Sequence, residues 1–213
     1  MCLISGGIDS PVSTYIAGKY GEIILVFVDN SPYLPKGTKE RVIRLCEQIS
    51  KKLRKKLKLY IVQNGENIKN ILKYPERRLT CILCRRIMYK IAEEVAKREN
   101  AQCIITGESL AQVASQTLHN LSVESKAIEI PILRPLLCLD KEEIVRKAKE
   151  IGTYEISCTR EKGCYTESGK PACCFATPRY PETKAKKEDV ENAERKLNLK
   201  IKEIVENAEI LEV

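Results

Sequence analysis

The residues best suited to chemistry stand at the start of the chain, in Ser5-Gly6-Gly7-Ile8-Asp9-Ser10. Met1-Cys2-Leu3-Ile4 reads as the end of a buried strand, and the apolar-periodic run from Pro11 to Tyr20 as a helix closed by Gly21. Pro11 suits the first helical turn, where the N–H it lacks would be unpaired anyway. A glycine turn between strand and helix lines up backbone N–H groups at a helix N-terminus, where phosphate oxygens are favoured by hydrogen bonds and by the dipole. Ser5 and Ser10 carry hydroxyls for those oxygens, and Asp9 offers the hard oxygen that Mg²⁺ prefers. Neither Gly-x-x-x-x-Gly-Lys-Ser/Thr nor Gly-x-Gly-x-x-Gly occurs, so the cradle is of another type. The bland alternative is an ordinary glycine turn; its place after a strand and before a helix favours the cradle.

Sulfur is the second chemical resource. The chain has 10 cysteines and a single histidine, His119, so any metal site must be mostly cysteine-ligated. Cys81-Ile82-Leu83-Cys84 places two thiols at a loop-to-helix boundary, where a helix N-terminus favours thiolate. A redox dithiol, a structural Zn²⁺ site needing two more ligands, and an iron–sulfur cluster held by three cysteines with one iron open all fit that spacing. One of the adjacent Cys173 and Cys174 can supply a third ligand, and Cys158 and Cys164 can contribute to a separate Zn²⁺ site. Cys2, Cys46, Cys103 and Cys138 lie in apolar context and read as core residues.

The elements that must position these groups alternate. Ile23 to Val28 is a continuous apolar run, as in a strand buried on both faces. Helical periodicity follows over Lys39–Leu53, a strand over Lys58–Gln63, a helix over Ile82–Glu99, and strands over Gln102–Ile105 and Glu129–Leu133. Asp140 is the expected N-cap of a helix to Ile151. This order predicts an α/β domain with a parallel sheet and helices on both faces, binding ligands at the carboxyl ends of the strands. Ser5–Ser10, Asp29 and Thr106-Gly107 should then converge. Cys158 to Lys187 shows no regular period and reads as a loop. Asp189–Leu197 and Lys200–Asn207 read as polar helices at the sheet edge.

With 213 residues and 43% hydrophobic content, the chain can build one sizeable domain. The net charge of +8 favours polyanions such as nucleic acid. Much of the excess sits in the block from Lys51 to Lys58, equally readable as a solvated helix end, and in Arg77-Arg78 and Arg85-Arg86 around the cysteine pair. No apolar run reaches membrane-spanning length and no signal peptide precedes the motif, so a cytoplasmic location is expected.

Ser-Gly-Gly-x-Asp-Ser resembles the PP-loop of the ATP-pyrophosphatase superfamily, whose members cleave ATP between the α- and β-phosphates. The string Thr106-Gly107-Glu108-Ser109-Leu110-Ala111-Gln112-Val113-Ala114-Ser115-Gln116-Thr117-Leu118 is more specific. So are Ile132-Leu133-Arg134-Pro135-Leu136 and Asp140-Lys141-Glu142-Glu143-Ile144. Together they resemble the catalytic domain of the tRNA 4-thiouridine synthase family, from the first residues to about Ala185. The resemblance implies a PP-loop (adenine nucleotide alpha hydrolase-like) fold over 1–185, with 186–213 as a C-terminal helical extension of the same domain. It implies that Ser5, Gly6, Gly7, Asp9 and Ser10 bind ATP and its pyrophosphate, and that Val28, Thr106, Gly107, Gln112 and Gln116 line the nucleotide crevice. Lys141 matches a lysine important for activity, and Cys174 a cysteine of sulfur transfer. Cys81, Cys84 and Cys174 match the three cysteines associated with an iron–sulfur cluster in archaeal members. Asp9, Lys141 and Cys174 are therefore the expected catalytic residues.

The implied reaction is ATP-dependent thiolation of a tRNA uridine: the base oxygen is adenylated, and sulfur then displaces AMP. ATP and Mg²⁺ are the implied cofactors, with an iron–sulfur cluster or Zn²⁺ on the cysteines. The implied partners are tRNA, a sulfur donor protein or sulfide, and a second copy of the chain. The family's ferredoxin-like and THUMP RNA-binding region and its rhodanese domain have no counterpart here, which leads to the expectation of a separate RNA-binding subunit. Two other readings remain open. One is a different PP-loop ligase, forming 2-thiouridine or an amide; the other is a nucleotide- and metal-binding subunit without its own catalysis.

Overall fold

The computed structural model describes residues 1–110, 116–159 and 174–213. Among them runs one six-stranded sheet in the order β5-β4-β1-β2-β3-β6. Its strands are β1 (Cys2–Ile4), β2 (Ile24–Asp29), β3 (Lys58–Gln63), β4 (Ile104–Ile105), β5 (Ile132–Leu133) and β6 (Glu209–Glu212). The first five are parallel, with Leu3 opposite Val26 and Val26 opposite Tyr60. β6 pairs antiparallel with β3, Leu59 opposite Leu211. Short β4 is anchored on both sides: Ile105 N–H donates to the Met1 carbonyl at 2.7 Å and Ile104 N–H to that of Pro131 at 2.8 Å.

Residues along each strand alternate between two packed faces, which is why the strands read as unbroken apolar runs. Leu3, Val26, Val28, Tyr60 and Val62 pack with α3 (Gly65–Lys73), α4 (Thr80–Arg98), α8 (Lys187–Arg195) and α9 (Ile201–Glu206). Cys2, Ile4, Leu25, Phe27, Leu59 and Ile61 pack with α2 (Thr38–Leu53) through Val42, Cys46 and Ile49. A third cluster joins Val12 of α1 (Asp9–Gly18) to Ile144, Ala148 and Ile151 of α6 (Lys141–Ile151). Two shorter helices, α5 (Leu118–Ser125) and α7 (Tyr154–Cys158), stand near the strand ends.

Three sequence expectations need correction, and a fourth is settled between its two readings. The segment after 186 contains two helices as expected, but Glu209–Glu212 adds a strand that covers the β3 edge. Arg85 and Arg86 are not a nucleic-acid patch. Arg86 is buried and bonds Glu194 Oε2 at 2.8 Å and the Val123 carbonyl at 2.7 Å. Arg85 lies between Glu124 and Glu108 at 3.3 and 3.8 Å. The lysine block runs from the exposed last turn of α2 to the start of β3, in keeping with a solvated helix end, and opposite the strand ends that hold the glycine turn. There Lys55, Lys56 and Lys58 pair with Glu22, Glu212 and Glu99. Cys138 is exposed and Cys103 half-buried, whereas Cys2 and Cys46 are core residues as expected.

The Arg86–Glu194 pair ties α4 to α8 in the interior, with Lys90 also 2.9 Å from Glu194 Oε1, so losing Arg86 leaves Glu194 with one cation and strips the Val123 carbonyl of its donor. Arg86→Ala is expected to destabilise the fold by about 1–3 kcal/mol, read as a drop in the urea midpoint at unchanged slope.

Candidate active site at the strand ends

The glycine turn is closed by its own serines. Ser5 N–H donates to Ser10 Oγ at 2.8 Å, the two hydroxyls are 2.9 Å apart, and Ser10 Oγ also reaches the Ser5 carbonyl at 3.3 Å. Ser10 thus holds the loop shut as well as facing it. α1 carries no side-chain cap at its N-terminus, where Ile8 occupies the N-cap position. α5 and α6, by contrast, are capped by Thr117 and Asp140. The orphan N–H groups of α1 therefore remain for an anion.

Three elements close on this loop. The first is β4. Thr106 follows it directly, and its carbonyl accepts from Ser13 Oγ at 2.7 Å. Gly107 lies so close to α1 that an added Cβ would stand 2.6 Å from both Cα and N of Ser10. The second is α6. Lys141, its first residue, donates to Asp9 Oδ1 at 2.6 Å. A cation at a helix N-terminus opposes the dipole, so its position is explained by Asp9 rather than by α6. The third is α2. Buried Arg41 runs alongside Gly6, where an added Cβ would stand 3.3 Å from its Cδ and 3.5 Å from Nη1. Ser157 of α7 adds a hydrogen bond to the Gly7 carbonyl at 3.2 Å.

Behind Thr106 lies a buried polar hub. Glu108 accepts from Thr106 Oγ1 at 2.6 Å, from Arg134 Nε at 2.7 Å and from the Tyr89 hydroxyl. Burial pushes the Glu108 carboxyl up, but Arg85 and Arg134 outweigh it and hold it below its ordinary value. Burial also pushes Glu124 up, and there Arg85 only partly offsets it, leaving a value of about 7.

The cysteines of the Cys-x-x-Cys pair open α4. Cys81 and Cys84 stand in the first turns of α4. Burial, and then the charges of Cys174 and Cys81, push the Cys84 thiol up to about 12, against the pull of Arg85 and Asn30. The Cys174 segment is docked on the loop after β2, with Phe175 N–H donating to the Tyr33 carbonyl at 2.8 Å. Its far end is held by α5. Thr117 Oγ1 donates to the Thr183 carbonyl, Asn120 Nδ2 to that of Glu182, and His119 Nε2 lies 2.8 Å from that of Ala185. The lone histidine is thus a tether. Among the described residues, no group of three or more His, Cys, Asp or Glu side chains is arranged to grip a metal ion as it stands.

The structure therefore brings together Ser5, Gly6, Gly7, Asp9, Ser10, Thr106, Gly107 and Lys141. Cys81 and Cys84 share the start of α4, and Cys84 feels the charges of Cys81 and Cys174. Asp29 closes the β2 end by accepting from Ser31 and Gln63. Val28 is buried between β2 and α4, and Gln116 is half-buried. Gln112, Cys164 and Cys173 lie outside the described residues, and Cys158 is exposed. Sequence reasoning missed Arg41, Glu108 and Arg134 as functional groups. The Thr-Gly-Glu string pointed at Glu108, whereas nothing local distinguished Arg41 from the other cations of α2.

Residues 1–199 match the family model described as thiamine biosynthesis protein (ThiI). A probable tRNA sulfurtransferase of Caldanaerobacter subterraneus subsp. tengcongensis is 40% identical over 197 residues, 92% of this chain and 50% of that protein. One of Methanobrevibacter smithii is 39% identical over 208 residues, 97% of this chain and 51% of that protein. The chain thus spans about half the length of these relatives. A crystal structure of a 4-thiouridine synthetase–RNA complex with bound ATP superposes on the whole chain and 54% of its own, with a TM-score of 0.88 and 33% identity.

Two outcomes follow from this geometry. Gly107→Ala must push the 106–108 loop off α1, and nucleotide affinity is expected to fall by about tenfold or more, measured by calorimetric titration. Glu124 has an ordinary value near 4.5 and a folded value of about 7. Between those pH values the folded chain holds a proton that the unfolded chain has released, so stability falls as pH rises through the window and stays lower above it. Glu124→Gln should remove that slope. It should gain roughly 1–3 kcal/mol over wild type at pH 8 and little at pH 4.5, by denaturation at each pH.

Proposed function

Because the chain belongs to the thiamine biosynthesis protein (ThiI) family, we propose that it catalyses ATP-dependent thiolation of a tRNA uridine, of the 4-thiouridine type. The observation that carries the reading is the convergence at the uncapped start of α1. The Gly107 backbone lies against Ser10, and Lys141 is bonded to Asp9 at 2.6 Å.

In this reading the base oxygen attacks the α-phosphorus of ATP, the bond to the β-phosphate breaks, and pyrophosphate leaves. The N–H groups of residues 6–10 receive the pyrophosphate, and the Ser5 and Ser10 hydroxyls border it. Arg41 beside Gly6 and Lys141 place two cations where negative charge accumulates, the arrangement that lowers barriers most in a water-poor site. Asp9 offers Mg²⁺ a carboxylate oxygen and keeps Lys141 aimed at the loop. Thr106, Gly107 and the backbone at Val28, whose side chain is in the core, border the nucleotide, with Gln112 and Gln116 following in the same stretch. Adenylation makes AMP a leaving group, so sulfide can add at the base carbon and expel AMP with the original oxygen.

The sulfur side belongs to Cys81, Cys84 and Cys174. Three cysteines without histidine suit an iron–sulfur cluster, which takes one thiolate per iron, better than a zinc ion, which takes four donors. Held there, a cluster would supply an open iron able to bind sulfide. Residues 1–185 and 186–213 are best treated as one domain, since β6 completes the sheet. The reaction is placed in the cytoplasm. A THUMP-type RNA-binding part, a sulfur donor and a second copy of the chain are partners to supply in assays.

The test separates the two halves. Cys174→Ser is expected to retain substrate-dependent pyrophosphate release while losing tRNA thiolation by at least about 100-fold. Lys141→Ala should lose both by a similar factor. Thiolation by Cys174→Ser at the wild-type rate would remove that cysteine from the reaction, and pyrophosphate release by neither wild type nor variant would remove the adenylation reading.

A further inference from the structure

A second set of buried polar groups lies behind Cys84, apart from the nucleotide crevice. Asn30, Asn64 and Asn67 are all buried, and buried amides are costly unless paired. They form one line. Lys200 N–H donates to Asn67 Oδ1 at 3.2 Å, and Asn67 Nδ2 to Asn64 Oδ1 at 2.9 Å. Asn64 Nδ2 donates to Asn30 Oδ1 at 2.7 Å, and Asn30 Nδ2 to Cys84 Sγ at 3.7 Å.

The direction of the line is set at its far end. A backbone N–H can only donate, so Asn67 must turn its oxygen toward Lys200 and its nitrogen toward Asn64. The same constraint passes to Asn64 and then to Asn30, and the last link presents N–H to the sulfur. Aligned amides polarise one another, each strengthening the next donor. The backbone holds the line rigid. Asn64 N–H bonds the Asp29 carbonyl at 2.8 Å, and Ile68 N–H bonds the Asn64 carbonyl at 3.1 Å.

A buried donor aimed at sulfur stabilises negative charge there more than it stabilises a neutral thiol, and at Cys84 the form that carries such charge is a cluster ligand. We propose that Asn30 is a positioning residue for Cys84. It holds that sulfur as a charged cluster ligand, and Asn64, Asn67 and the Lys200 backbone set the strength of its N–H. This rests on the reading that Cys81, Cys84 and Cys174 hold an iron–sulfur cluster. It also gives the turn between α8 and α9 a task, since that turn supplies the terminal donor. Reduction adds negative charge to a cluster and its sulfurs, so a hydrogen bond there raises the reduction potential.

The experiment compares the full chain, reconstituted anaerobically with iron and sulfide, with Asn30→Ala, Asn67→Ala and Asn70→Ala. Asn70 ties α3 to the Asn198 carbonyl at 3.0 Å and lies outside the line. Iron and sulfide content and the midpoint potential, from a redox titration followed by electron paramagnetic resonance, are the readouts. The expected result is a lower potential for Asn30→Ala, a smaller shift of the same sign for Asn67→Ala, and none for Asn70→Ala. A wild-type chain that binds no cluster would overturn the cluster reading and this inference together. A wild-type cluster with Asn30→Ala at the same potential, or with Asn70→Ala shifted equally, would overturn the inference alone. Should Asn30→Ala fail to fold by circular dichroism, Asn67→Ala decides in the same two directions.

Discussion

The strand-end site depends on one close approach, that of the Gly107 backbone to the first turn of α1. With a Cβ only 2.6 Å from Ser10 atoms, no other residue fits without moving one of the two segments. The contact joins the turn after β4 to the loop after β1, and Ser13 pins it from the helix side through the Thr106 carbonyl. The glycine loop alone is four residues of backbone between a strand and a helix. Pressed from one side by Gly107 and held on the other by Lys141, it becomes a wall of fixed N–H groups. Preorganisation of this kind lets donors stabilise charge without first reorienting.

The charges behind the wall serve it. Glu108 gathers Thr106, Tyr89 and Arg134 around one buried carboxylate, so the strand that leads into Gly107 is tied to α4 and to the segment after β5. Arg85 is shared between Glu108 and Glu124, which leaves Glu124 underserved and near neutrality in its proton affinity. The net charge of +8 is still carried by the surface, because the charged side chains buried among the described residues are Arg41 and Arg86 against Asp29, Glu108, Glu124 and Glu194. Two of the most suggestive arginines are interior struts, and the lysine block faces acids at the other end of β3.

The glycine loop, the parallel sheet and the Asp140 cap are legible in the sequence because each rests on local rules. Glycines mark a tight turn, unbroken apolar runs mark strands buried twice, and Asp140 before an apolar-periodic run marks an N-cap, which forms as expected and is completed by Glu143 as a capping box. What is not legible comes from packing between distant segments. Arg41 reaches Gly6 only because α2 crosses α1, and the amide line behind Cys84 joins residues 30, 64, 67 and 200. β6 is not legible because Glu209-Ile210-Leu211-Glu212 is only four residues with acids at both ends and no period-2 alternation, so neither face carries an apolar signal. The leucine neighbours of Cys138 suggest a core position, yet a turn exposes it.

The central claim is that this crevice adenylates a base oxygen and that the same oxygen leaves with AMP. Oxygen-18 placed at the target carbonyl of the uridine follows that atom directly. In a single turnover with ATP, sulfide, tRNA and an RNA-binding partner, the label is expected in AMP, one atom for each thiolated base. Label found in water or in pyrophosphate, with AMP unlabelled, would contradict it.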